Sequence, residues 1–96
     1  MGIKGQSLPF KEKIKGVYNY RTFGSELAEN ELKWHFDLED RVVVCEHDTN
    51  WLIQMDNQLP ELIIKNKEYF IQKGEYHRII KGTGDLIVKV LKLSES

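Results

Sequence analysis

Cysteine is nearly absent from the chain, with Cys45 standing alone among 96 residues. One thiol forms no intrachain disulfide and supplies no Cys-based zinc site within one chain. Its setting, Val42-Val43-Val44-Cys45, marks a small buried core residue, because a reactive thiolate needs exposure and nearby positive charge. No apolar run approaches the about 18 residues of a membrane-spanning helix, and the N-terminus lacks an apolar signal segment. The expectation is a cytoplasmic protein without membrane contact. An excess of charge is missing as well: 14 basic and 15 acidic side chains leave a net charge of −1, so no global field draws nucleic acid or an anionic membrane. Aromatics and bases are not interleaved on one strand face, which argues against single-stranded nucleic acid as a partner.

The residues that are present describe one folded domain. Hydrophobic residues make up 41% and charged residues 30%, too apolar a balance for a disordered chain, and the length supports a single core. Charge is unevenly spread. Residues 25–50 carry eight acids against Lys33 and Arg41, whereas residues 65–92 carry seven bases against Glu68, Glu75 and Asp85. The two halves should attract each other across the fold or across a dimer interface.

Residues 1–16 are basic and glycine-rich without a sustained period, and read as an arm docked through Leu8, Phe10 and Ile14; the domain proper is 17–96. Val17–Phe23 has the β-branched and aromatic content of a strand, with Asn19, Arg21 and Phe23 on one face, and Ser25–Glu31 reads as an acidic loop. Over Leu32–Cys45, Lys33, His35, Asp37, Glu39 and Arg41 alternate with Leu32, Trp34, Phe36, Leu38 and Val42, giving one ionisable and one apolar face. The ionisable face is either solvated or the lining of a polar pocket, and Asp40 breaks the alternation where a bend or bulge fits. His47-Asp48-Thr49-Asn50 makes a turn with His47 solvated, and Trp51–Asp56 returns with Gln54 on its polar side. Leu62–Ile64, Tyr69–Ile71, the stretch after His77 and Leu86–Leu93 complete about seven short strands, with turns at Pro60, Gly74 and Gly84. Trp34, Phe36, Trp51 and Phe70 are expected in the core. The pattern is that of an all-β sandwich or barrel of short antiparallel strands.

The chain from Trp34 to Val90 resembles the cupin superfamily of small jelly-roll barrels. Ile71-Gln72-Lys73-Gly74-Glu75-Tyr76-His77 is similar to the family's second motif, a strand ending Ile-Pro-x-Gly followed after two residues by His, with Gln72 in the place of proline. The first motif, His-x-His, then Glu, then a turn glycine, is degenerate. Spacing favours Lys33 and His35 at the paired positions and Glu39 at the glutamate; a second alignment puts His35 and Asp37 at the pair, with no glutamate at the right distance. The resemblance implies that His35 and His77 approach inside the barrel and, with Glu39 or Asp37, hold a divalent metal such as iron, zinc or manganese.

Three functions compete on these residues. The first is a metal-dependent enzyme acting on a small polar molecule, with Lys33, Arg41 and Gln54 as ligand-binding residues. The second is a metal-free pocket for a sugar-like or nucleotide-like ligand, and Lys33 at a ligand position favours it, since an ammonium has no lone pair to give. The third is an interaction protein whose polar face is solvated or meets a partner. Exposed sheet edges in so small a barrel suggest a homodimer.

Overall fold

The computed structural model describes residues 9–93. Eight strands lie in two antiparallel sheets. The larger has the order β1-β2-β8-β3-β6, built from β1 (Lys11–Lys15), β2 (Tyr18–Phe23), β8 (Leu86–Leu93), β3 (Asp40–Cys45) and β6 (Glu68–Ile71). The smaller has the order β5-β4-β7, from β5 (Glu61–Leu62), β4 (Leu52–Met55) and β7 (His77–Ile80). A single 3-10 turn at Glu29–Glu31 is the one departure from strand and loop among the described residues.

Strand alternation puts the core between the sheets. In β8, Leu86, Val88 and Val90 are buried while Ile87 is open, and the register sets these three against Phe23, Arg21 and Asn19 of β2. Ile53 from β4, Ile71 from β6 and Cys45 from β3 complete the inner surface around Trp51. Each large apolar side chain removed from water contributes about 1.5–3 kcal/mol, which makes this layer the main source of stability. Trp51 is wholly buried and its indole N–H donates to the Gly84 carbonyl at 3.1 Å, so its polar atom is satisfied. Gly82 packs against Asn50, where a Cβ would stand 2.8 Å from the Asn50 carbonyl carbon, and Asn50 Oδ1 accepts from the Thr83 amide at 2.7 Å. His47, expected in solvent, instead accepts a hydrogen bond at Nε2 from the Ile87 amide at 3.0 Å and pins the start of β8.

Three further expectations change. Lys11–Lys15, read as part of an arm, pairs with β2 as the edge strand, and Phe10 packs on Phe23 with centroids 5.3 Å apart; Ile14 faces outward and Leu8 lies outside the described residues. Trp34, Phe36 and Phe70, expected in the core, are 41%, 47% and 58% exposed. The expected strand over Leu32–Cys45 is broken, because only His35 pairs with the small sheet and only Asp40 onward joins the large one. Residues 36–39 carry the chain from one sheet to the other, and they do so with the ionisable side chains turned in. The aromatics outside find surface partners instead: Trp34 lies under the Arg78 guanidinium at 4.9 Å and Phe36 meets Tyr76 edge-on at 5.1 Å.

Candidate functional site

His35 and His77 form a bridge in which each amide donates to the other's carbonyl, at 3.0 and 2.9 Å. Residues paired in this way stand directly opposite, with side chains on the same face of the ladder, and the two rings lie 4.2 Å apart between centroids. The turn before β7 makes that register possible. Gly74 adopts φ +82°, a left-handed conformation that glycine takes without steric cost, and its amide donates to the Asp37 carbonyl at 2.9 Å. The Lys73 amide donates to Asp40 Oδ1 at 2.7 Å, so the crossing segment is bonded to this turn at both ends. Asp40, the residue that spoils the alternation, is therefore the anchor of the crossing.

The hydrogen bonds decide which atoms face the centre. Nδ1 of His35 lies 3.1 Å from the Lys33 carbonyl and Nδ1 of His77 lies 2.9 Å from the Glu75 carbonyl. A carbonyl only accepts, so Nδ1 carries the proton in both neutral rings and each Nε2 keeps a free lone pair. Burial, the largest influence, pulls the His77 pKa below its usual range; the Glu75 carbonyl opposes it, the neighbouring His35 lowers it further, and Asp37 opposes while Arg41 adds to the lowering. His77 thus holds its neutral, lone-pair form at neutral pH.

Asp37 is buried beside these rings. Arg41 pairs with its Oδ1 at 3.1 Å, and His77 Nε2 stands 3.4 Å from its Oδ2. That second contact is at ion-pair distance but outside hydrogen-bond geometry, which leaves Oδ2 buried without a partner among the described residues. One ligand atom each from His35, Asp37 and His77 lies within 4.8 Å of the others. His35 is exposed and the other two are buried, so the group sits at the rim of the interior. A cavity of about 100 Å³ opens beside it, walled by Phe23, Val43, Ile53, Ile79, Val88 and Val90, with Arg21 and Arg41 on the same wall.

The residues singled out from sequence distribute as follows. His35, Asp37 and His77 come together. Glu39 does not join them; its Oε2 accepts from Arg41 Nε and Nη2, both at 2.6 Å. Arg41 therefore bridges Glu39 and Asp37, and the grouping follows the His35-x-Asp37 alignment rather than the preferred spacing to Glu39. Lys33 is an exposed residue of the cavity mouth. Gln54 lies outside the cavity wall, accepting from Arg78 at 2.8 Å and donating to the Gln58 carbonyl at 2.9 Å. Arg21 was not singled out. Its position between Asn19 and Phe23 on one strand face is the signal that points it inward.

No family model matches the chain, and no curated protein does. Solved structures do match. A cupin domain from Bordetella pertussis superposes with a TM-score of 0.60 at 18% identity, covering 97% of this chain and 100% of that one. A cupin-2 domain protein from Shewanella frigidimarina gives 0.59 at 17% identity over 93% of this chain and 84% of its own. Fe(II) HppE in complex with substrate gives 0.63 at 10% identity, covering 96% of this chain and 57% of that longer one. At such identities the likeness carries the architecture, and by its two antiparallel sheets and these neighbours the chain has the cupin fold.

Proposed function

We propose that this protein is a small metal-dependent cupin in which His35, Asp37 and His77 hold a divalent transition metal ion and present it to a small molecule in the barrel cavity. The observation that carries the reading is the donor set: two imidazoles whose Nδ1 atoms face carbonyls, leaving Nε2 free, and a buried carboxylate oxygen without a partner, with one ligand atom from each residue within 4.8 Å of the others. A buried anionic oxygen is costly unless something satisfies it, and a cation does so. Two histidines and one carboxylate suit iron(II), and zinc or manganese as well. HppE, similar in fold, has been obtained with Fe(II) and with Co(II), which supports that choice of ion.

A bound ion supplies Lewis acidity and open positions for a ligand. The chain's own residues do the rest. The Lys33 and Glu75 carbonyls orient the rings, and Arg41 holds Asp37 Oδ1 so that Oδ2 stays directed at the centre. Glu39 offsets the charge of Arg41, which would otherwise repel the ion. The apolar wall keeps water from the inner side of the site.

Elemental analysis of protein purified without a histidine tag tests the reading. Near-stoichiometric metal is expected in the wild type, with loss in His35→Ala, Asp37→Asn and His77→Ala, and weakened but not abolished uptake in Glu39→Gln, which removes a charge beside the site but no ligand. A wild type that stays metal-free after reconstitution overturns it. The second reading, a metal-free binding pocket, would then hold, and one observation favours it: Arg41 already neutralises Asp37.

A further inference from the structure

The cavity wall carries a cation that the metal centre does not use. Arg21 lies mid-strand on the inner face of β2, and its side chain is 14% exposed. Its Nε is buried with no hydrogen-bond partner among the described residues. Glu12 stands 3.5 Å away, but the same Glu12 oxygen accepts from Asn19 Nδ2 at 2.6 Å. Phe10 covers the guanidinium face at 4.6 Å and holds the group in place. Arg41, by contrast, is occupied by Asp37 and Glu39.

A buried guanidinium short of hydrogen bonds is costly, and its fork of parallel N–H donors matches the two oxygens of a carboxylate. Charge points the same way. Among the side chains that line the cavity, Asp37 and Glu31 stand against Arg21, Arg41 and Lys33, so a divalent ion at the neighbouring centre adds to a positive charge that an anionic ligand would balance. Size narrows the class. About 100 Å³ is several times the room one water needs and well under the roughly 300 Å³ at which pockets for drug-sized ligands begin. Phe23, Ile53, Val88 and Val90 give the cavity a hydrocarbon wall.

We propose that the cavity takes a small aliphatic monocarboxylic acid, with Arg21 binding its carboxylate and its hydrocarbon lying against the apolar wall. The charge argument and the nearness of such a ligand to the centre rest on the metal reading; the orphaned Arg21 donor does not.

Calorimetric titration with butyrate and with its uncharged analogue butyramide tests this, on metal-loaded and on chelator-treated protein. The wild type is expected to bind butyrate at least about tenfold tighter than butyramide, and R21M to lose that preference while keeping its metal content and near-ultraviolet circular dichroism. Should R21M not fold, R21K serves: a single ammonium in place of the fork is expected to weaken butyrate severalfold and leave butyramide unchanged. Absence of binding, equal affinity for the two probes, or full butyrate affinity in the folded variant overturns the proposal. Arg21-dependent butyrate binding by protein that takes up no metal supports the Arg21 assignment while the metal reading fails. Metal uptake without a butyrate preference does the reverse.

Discussion

The two histidines of the site differ in burial, and this decides how pH acts on the fold. The unfolded chain protonates His77 near its ordinary 6.5, whereas burial keeps the folded protein from doing so until a lower pH. Between those two values the unfolded state binds more protons, so the contribution of His77 to stability is complete above pH 6.5 and is lost as pH falls toward the folded value. Chelator-treated wild type should therefore melt at a lower temperature at about pH 5.5 than at about pH 7.5, and His77→Gln should show a shallower dependence. Equal slopes in the two proteins would contradict the assignment. Much at this scale was legible in the sequence. A glycine three residues before a histidine that opens a strand announces a turn that aims the side chain, and Gly74 and His77 do this. The competition between Asp37 and Glu39 was not legible, because counting residues presumes a regular strand, and the segment between His35 and Asp40 is irregular. Alternation also says which residues share a face, but not which face is inside; here Asp37 turned in and Trp34 and Phe36 turned out, while Lys33 and His35 stay exposed at the rim.

At the scale of elements, the crossing from His35 to Asp40 is held by few bonds for the work it does. Its anchors are the His35–His77 bridge, the Gly74 amide on Asp37 and the Lys73 amide on Asp40. Asp40→Ala should cost about 1 kcal/mol in chemical denaturation, the usual worth of one such bond. It should also weaken metal binding, since it frees the segment that carries Asp37; unchanged affinity would detach the anchor from the site. β1 was not foreseen as a strand because its burial pattern has no period: every residue from Lys11 to Lys15 is exposed. Its lysines suit an edge, where charge discourages pairing with another chain. The strands on either side of Gly84, by contrast, were plain in their apolar alternation, and Leu86–Leu93 forms as expected.

For the whole molecule, both sheets close on one core. Ile53 belongs to the small sheet and Val88 to the large one, and both are in the same buried cluster. Ile53→Ala should destabilise by about 2–5 kcal/mol, and the far- and near-ultraviolet dichroism transitions should remain coincident, as for a two-state domain. Separate transitions would mean that the sheets hold together independently. This global level was the most legible, since short strands at regular spacing with turn residues between them leave few architectures. What sequence could not supply was the contact across the interior that puts Arg21 of β2 on the same wall as Arg41 of β3. The unequal exposure of the three residues proposed as ligands has one more consequence. An ion seated here would have a single doorway, on the side of His35, with His77 and Asp37 at its back. Exchange would then begin with that outer imidazole letting go, so the lifetime of the ion would be governed at the threshold while its preference among metals is decided deeper in.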